Sequence, residues 1–384
     1  MIYFDNSATT NYKPPNVKLS IIKNLSKYNT ANPGRSGHKL SVKLGNKIFS
    51  VRQTLANFFN TSPFNVIFTS GCTESLNLAI FGTIKPNGHI ITTINEHNSV
   101  LRAITKIQKD YNIEITYIKP KNLIVTPEEI SSCIKNNTYM IIVNHTSNVT
   151  GATCNIEEIG KIAKNNNLIY LVDSAQSGGH IKIDVQKCNI NFLAVAGHKG
   201  LHGISGTGVL IVNNIPNDFI PFKYGGTGTD SKNLFQPISI PESFEAGTLN
   251  YLGIFALGEG VKFVDKNFDK INKKITSLTK YLVDNLSKNN NIDLYFDESS
   301  FYSGVISFNV KNHSSDEVSN FLNTNYNIYI RSGLHCAPLV HEFLGTLDSG
   351  TCRISLDFKN SKHQIDVFLN AISDFIEQKD GYKS

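Results

Sequence analysis

Leu168-Ile169-Tyr170-Leu171-Val172-Asp173-Ser174-Ala175-Gln176 and, one strand later, Phe192-Leu193-Ala194-Val195-Ala196-Gly197-His198-Lys199 each carry a continuous apolar run into a polar end. A short apolar run without alternation reads as a strand buried on both faces, the kind that builds a parallel sheet. The carboxyl ends of such strands are where α/β proteins bind ligands. By itself Asp173 fits the cap of a following turn equally well, and most lysines are solvated surface groups. An acid and an amine at two strand ends of one sheet favour a ligand site.

Outward from this pair, further short apolar runs alternate with helical patterns: Val66-Ile67-Phe68, His89-Ile90-Ile91, Ile113-Glu114-Ile115, Met140-Ile141-Ile142-Val143 and Gly208-Val209-Leu210-Ile211-Val212. The alternation predicts an α/β domain with a mostly parallel, seven-stranded sheet. Between His38 and Asn60, Leu40, Leu44, Ile48, Val51, Leu55 and Phe58 recur at spacings of three and four, a helix with one buried stripe. Thr126-Pro127-Glu128-Glu129 offers an N-cap, a proline at the first helical position and a capping-box carboxylate. After Glu245-Ala246-Gly247-Thr248-Leu249-Asn250 the pattern changes to a long helix, strands near Val305–Phe308 and Ile328–Ile330, and a final helix beyond Ser361. This predicts an N-terminal segment and large ligand-binding domain over 1–250 and a smaller C-terminal α+β domain over 251–384.

The chain has 384 residues, 40% of them hydrophobic, enough for a large core and two domains. Its net charge of +6 comes from scattered lysines, without the basic stripe of a nucleic-acid face. No apolar run approaches the roughly 18 residues that span a bilayer, and the N-terminus lacks the order of a signal peptide. The expectation is therefore no nucleic-acid partner and no membrane. The six cysteines contain no C-x-x-C pair and are too sparse for a disulfide framework, so a reducing cytoplasm is the expected setting.

Lys199 and Asp173 together suit pyridoxal 5′-phosphate. The amine can close a Schiff base with the cofactor aldehyde, and the carboxylate can keep the pyridine nitrogen protonated. Thr69-Ser70-Gly71-Cys72-Thr73-Glu74 joins a strand to a helix, where free amides and hydroxyls suit a phosphate; an ordinary capped turn is the alternative. No G-x-x-x-x-G-K-[ST] motif is present, which argues against nucleotide hydrolysis. His97, after another strand, could stack on a flat cofactor or merely sit at a helix start. Asn148 could donate to a ring oxygen or a carboxylate, or serve a turn.

Cys336, in Arg331-Ser332-Gly333-Leu334-His335-Cys336-Ala337-Pro338, lies in a loop punctuated by Gly and Pro, where a thiol is expected to be exposed and Arg331 is near enough to favour a thiolate. Cys133, on a helical pattern, fits the commoner fate of a small buried hydrophobe. A metal site from His335, Cys336, His341 and Cys352 matches no zinc spacing. Arg353, on the strand Thr351–Ser355, is the candidate for a two-pronged clamp on a substrate carboxylate, against a surface ion pair.

In order and spacing these segments resemble the class V aminotransferase group of fold-type I pyridoxal-phosphate enzymes, and within it the cysteine desulfurase and selenocysteine lyase family. The resemblance covers almost the whole chain, from Asp5-Asn6-Ser7-Ala8-Thr9-Thr10 and Asn32-Pro33-Gly34-Arg35-Ser36-Gly37-His38 to Gly350-Thr351-Cys352-Arg353. It implies that Lys199 carries the cofactor, Asp173 pairs with the pyridine nitrogen, and Gln176 and Asn148 sit near the ring hydroxyl. His97 would stack on the ring and count with Lys199 and Cys336 among the catalytic residues. Cys72 would lie against the cofactor beside Thr73, which holds the phosphate with His198. Thr248 would reach the phosphate of a neighbouring subunit, which implies a homodimer. Arg353, Arg331 and Asn148 would bind substrate.

The implied reaction converts L-cysteine to L-alanine and leaves a persulfide on Cys336, from which a partner protein takes the sulfur. Ala196 stands where the family usually offers the phosphate a hydroxyl. Leu334 and the short loop around Cys336 resemble the group II subtype. The same residues would serve L-selenocysteine. An aminotransferase would use Lys199 and Asp173 but leave Cys336 without a task, whereas a non-catalytic sulfur carrier would need no cofactor. Iron–sulfur assembly, thiolated tRNA or thiocofactor synthesis would all look alike as destinations for the sulfur.

Overall fold

The computed structural model describes residues 1–28, 32, 37–216, 218–228 and 232–381. Residues 33–36 of the Asn32–His38 segment lie outside the described residues. The chain begins with β1 (Ile2–Tyr3), α1 (Pro15–Tyr28) and α2 (Lys39–Phe59), then runs β2 (Val66–Thr69), α3 (Cys72–Phe81), β3 (His89–Thr93), α4 (Asn98–Tyr111), β4 (Glu114–Ile118), α5 (Pro127–Ser132), β5 (Thr138–Asn144), α6 (Ile156–Asn165), β6 (Ile169–Asp173), β7 (Phe192–Ala196) and β8 (Gly208–Val212). After α7 (Tyr251–Leu286) come β9 (Ile292–Tyr295), β10 (Val305–Val310), α8 (Ser315–Tyr326), β11 (Ile328–Tyr329), α9 (Pro338–Leu344), β12 (Cys352–Ser355) and α10 (Lys362–Gly381).

Strands β2 to β8 form one seven-stranded sheet in the order β2-β8-β7-β6-β5-β3-β4. Every strand but β8 points the same way. Alternate residues face opposite sides, and each side has its own core. Tyr170, Val172, Leu193 and Val195 pack with α2, α6 and the start of α7, while Ile169, Leu171, Phe192 and Ala194 pack with α3 and α4. Helices on both faces explain why β5, β6 and β7 are buried along their whole length and largely apolar: no strand face is left for water.

Local signals in the sequence hold at several helix ends. The His38 side chain caps α2 by accepting from the Ser41 amide, and Asn60 ends it in the left-handed region. Leu44, Ile48, Val51 and Leu55 are buried in the core, with Leu40 and Phe58 packed against it. Thr126 and Glu129 form the anticipated capping box of α5. One strand is displaced: β4 begins at Glu114, since Asn112 at φ 53° is still the left-handed cap of α4. The strand expected over Ile328–Ile330 is shorter, and β9, whose Ile292 and Leu294 pack on the C-terminal core, is a strand that the apolar runs above do not include.

A third core gathers Leu278, Leu282 and Leu286 of α7, Phe308, Ile354 and Phe368 around an antiparallel sheet β12-β10-β9. Phe4 is fully buried there, and β1 pairs with β11 in parallel. The first residues of the chain thus pack with the C-terminal part. Helix α7 serves two of the three cores: Ile254, Phe255, Leu257 and Val261 belong to the one shared with α2 and α6. The change from one core to the other falls within this helix.

A buried ion pair anchors the Glu245–Thr248 segment. The Glu245 carboxylate meets the Arg52 guanidinium and accepts from the Phe68 amide at 2.7 Å, while Arg52 also donates to the Val66 carbonyl. Removing one partner strands the other charge in the core. Arg52→Met is therefore expected to lower the free energy of unfolding by about 3–5 kcal/mol, measured by urea denaturation.

Candidate active site

Five chain segments meet at one edge of the large sheet because five strands that run the same way end there. β2 delivers Ser70–Glu74, β3 delivers His97, β5 delivers Asn148, β6 delivers Asp173–Gln176, and β7 delivers His198 and Lys199. All of these border a single cavity of about 270 Å³. The approach is close where β2 leaves the sheet. A Cβ at Gly208 would stand 2.5 Å from the Gly71 backbone, so only glycine lets the turn before α3 reach the cavity.

The carboxylate and amine of the two strand ends face one another electrostatically. Asp173 is buried, and its Oδ1 accepts from the Ala175 amide at 2.8 Å and from the Cys72 thiol at 3.4 Å. Burial lowers the pKa of Lys199 below the ordinary lysine range, opposed by Cys72 and Asp173 and reinforced by Arg353 and Arg331. A less basic amine holds its lone pair free more of the time, as a nucleophile or proton acceptor requires. The Cys72 thiol is driven the other way, by burial first and then by Asp173, and stays protonated.

His97 caps a helix and also lies on the cavity wall. Its Nδ1 accepts from the Ser99 amide at 3.0 Å as the N-cap of α4, and its ring borders the cavity. With Nδ1 accepting, the neutral ring carries its proton on Nε2. Burial lowers its pKa, which keeps the ring neutral.

At the other end of the cavity, α3 starts without a side-chain cap, so the amides of its first turn have no partner within the helix. Thr73 is exposed and shares a 2.8 Å hydrogen bond with Ser99, and Ser70 N–H donates to Glu74. His198 has a pKa lowered to about 4 by burial and by Lys199 and Lys13, and its buried Nδ1 has no hydrogen-bond partner. Its carbonyl is held by Lys13 at 2.8 Å. Ala196, also on the cavity wall, supplies no hydroxyl.

Cys336 is half-buried rather than fully exposed. It occupies a tight turn in which the Ala337 amide donates to the Leu334 carbonyl, with His335 at φ 50° and Cys336 at φ 60°. Two successive left-handed residues that are not glycine cost about 1–3 kcal/mol each. Outside bonds hold the turn: Asn148 Nδ2 donates to the His335 carbonyl at 2.6 Å, and the Asn98 amide donates to the Cys336 carbonyl at 2.7 Å. Asn148 borders the cavity and Asn98 follows His97, which does too, so the thiol is tied to the Lys199 site. Arg331 Nη2 lies 3.9 Å from Cys336 Sγ.

Arg353 is 1% exposed and so is no surface ion pair. It donates to the Asn148 carbonyl at 3.0 Å and to Asp5 at 2.7 Å, and its Nε has no partner. Gln176, buried on the cavity wall, donates to the Ser7 carbonyl at 3.3 Å. Thr248 is exposed and lines an adjoining cleft with Ser70, Glu74 and Lys223, outside the Lys199 cavity. Among the described residues no three His, Cys, Asp or Glu groups are placed to hold a metal ion, and the Cys352 thiol points to the Ser315 carbonyl. No helix of the described residues is long and apolar enough to cross a membrane. Local sequence pattern assigns no role to Asp5 or Ser99, which organise the site through Arg353 and through His97 and Thr73. Asp5 is remote in sequence from its partner; only the position of Ser99, two residues after His97, signals a link.

A family model described as aminotransferase class-V matches residues 2–368. A probable cysteine desulfurase of Borreliella burgdorferi is 34% identical, over 98% of this chain and 92% of its own. One of Pyrococcus abyssi is also 34% identical, over 98% and 94%. The apo structure of a cysteine desulfurase from Thermococcus onnurineus superposes with a TM-score of 0.91 at 31% identity, covering 98% of this chain and 95% of that one. The cysteine desulfurase CsdA of Escherichia coli, in an S-sulfonic acid form, shares the fold with a TM-score of 0.88 at 24% identity, over 98% and 94%. With the strand-end site in place and a match over nearly its whole length, the chain belongs to the class V aminotransferase family of fold-type I pyridoxal-phosphate enzymes, the family that includes the cysteine desulfurases.

Proposed function

We propose that this protein is a pyridoxal-phosphate-dependent cysteine desulfurase that moves the sulfur of L-cysteine onto Cys336. The observation that carries the reading is the placement of the Cys336 turn, bonded through Asn148 and Asn98 to the loops that wall the Lys199 cavity. An aminotransferase would have no use for a thiol held at such backbone cost.

The residues present fit the cofactor. The uncapped first turn of α3 and the orphaned His198 Nδ1 offer donors to a phosphate. Asp173 is free to pair with a protonated ring nitrogen, and the flat face of His97 borders the same space. Lys199 would hold the group covalently, with Thr73 at the phosphate, Cys72 and Gln176 against the ring, and Thr248 serving a neighbouring subunit. When bound, the group would act as an electron sink for the substrate α-carbon.

The chain's own residues then divide the work. Arg353 and Arg331 supply positive charge for the substrate carboxylate, and the orphaned Asn148 Oδ1 is an acceptor for its amine. Lys199 takes up the α-proton and returns a proton to the product. Cys336 thiolate attacks the substrate sulfur: the carbon–sulfur bond breaks, a sulfur–sulfur bond forms, and L-cysteine plus enzyme thiol become L-alanine plus enzyme persulfide. Arg331, near Sγ, stabilises the attacking thiolate.

The test is to incubate the holoenzyme with L-cysteine and excess reductant and to measure alanine and sulfide together. Equal yields of the two are expected. Pyruvate in place of alanine, or alanine without sulfide, would rule the reading out.

A further inference from the structure

A further cavity, more than twice the volume of the Lys199 pocket and larger than the cleft beside Thr248, lies elsewhere on the described molecule. It is an open groove of about 690 Å³ between α4, β4 and α9. Its floor is apolar, made by Ile94, Leu101, Tyr117, Leu339 and Phe343, and Phe343 is 39% exposed. Its rim is basic: Arg102, Lys106, Lys109 and Lys119 are all exposed. Lys106 pairs with Asp110 at 2.7 Å, but among the described residues no ion pair occupies Arg102, Lys109 or Lys119. One acid, Glu342, stands on the α9 side.

The groove adjoins the reactive thiol. Asn98 and Pro338 both line it, and these are the residue whose amide holds the Cys336 carbonyl and the residue two positions beyond Cys336. We propose that this groove docks an acidic, amphipathic segment of the protein that receives sulfur from Cys336, its apolar face on the floor and its carboxylates on the basic rim. The proposal rests on the desulfurase reading and names the partner's chemistry. An apolar trough between two helices accepts a helix by its apolar stripe. An excess of like charge along the edge selects the sign of the partner and speeds its encounter. A segment seated here brings an adjacent thiol up to the Cys336 turn. There the persulfide sulfur–sulfur bond breaks, a new one forms to the acceptor sulfur, and the acceptor's proton passes to Cys336.

The test uses the holoenzyme and two synthetic helical peptides. Both carry a leucine- and phenylalanine-rich face and one terminal cysteine; one has glutamates on the opposite face, the other lysines. Perthiolation of the peptide cysteine is followed by mass, and binding by fluorescence anisotropy. The glutamate peptide is expected to bind and accept sulfur, and the lysine peptide is not. The double variant Arg102→Glu, Lys109→Glu should weaken the glutamate peptide about tenfold or more, and added salt should act in the same direction. Phe343→Ala should weaken it without changing the salt dependence. Sulfide release driven by a small reductant should be the same in all variants. Indifference of transfer to the groove variants, or equal transfer to the lysine peptide, overturns the proposal. So does a change of oligomeric state in the charge-reversed variant, which would make a second copy of this chain the occupant. Loss of reductant-driven desulfuration from L-cysteine in the unaltered holoenzyme would instead overturn the desulfurase reading, and the docking proposal with it.

Discussion

Lys199→Ala is expected to abolish turnover of L-cysteine, with a loss of about a thousandfold or more, and to leave the protein folded. Lys199 stands at the end of β7 and lines the shared cavity, and among the described residues no other lysine lines that space. Burial, first among the influences on it, lowers its pKa; Arg353 and Arg331 lower it further, while Cys72 and Asp173 pull the other way. The balance leaves an amine able both to bond an aldehyde and to accept a proton, and alanine does neither. Lys199→Arg should fail equally, since a guanidinium keeps its proton at any working pH. The decisive readout is the visible absorption of the bound cofactor: the band of the covalently held group should vanish in both variants, while far-ultraviolet circular dichroism stays unchanged. Retention of that band in Lys199→Ala would remove Lys199 from its assigned role.

Cys336→Ser should cut formation of alanine and sulfide about a hundredfold or more while leaving cofactor binding intact. A hydroxyl is not a thiolate at neutral pH and forms no persulfide. The two residues are therefore separable: Lys199→Ala loses the band of the covalently held cofactor and turnover, Cys336→Ser only turnover. The size of the loss owes something to the turn itself. His335 and Cys336 hold left-handed backbone against their own preference because Asn148 and Asn98 pin their carbonyls. Asn148→Ala, which removes one of those bonds, provides a check: turnover should fall while Cys336 can still be alkylated. Alanine and sulfide formed at the unaltered rate by Cys336→Ser would refute the assignment of the nucleophile.

Several of these features are legible in the amino-acid order itself. Asp173 and Lys199 stand out because a buried parallel strand is apolar along its length, so a charged residue at its end is conspicuous. His38 and Asn60 mark the ends of α2 because capping is local, and Thr126–Glu129 does so for α5. Cys336 is conspicuous for its glycine and proline neighbours, yet its half-burial and left-handed backbone are not legible, because bonds from Asn98 and Asn148 impose them.

The sequence alone, through the periodicity of its apolar residues and the chemistry at strand ends, determined the α/β class, the parallel sheet and the main candidate residues, since each depends on neighbours within a few positions. Tertiary structure alone decided the rest. It brought Asp5 to Arg353 and Phe4 into the C-terminal core, ran α7 from a core of the large sheet into the C-terminal core, and opened a basic-rimmed groove beside Cys336. These contacts join residues far apart in the chain, and their partners are chosen by packing and by the need to satisfy buried polar groups, which no local pattern records.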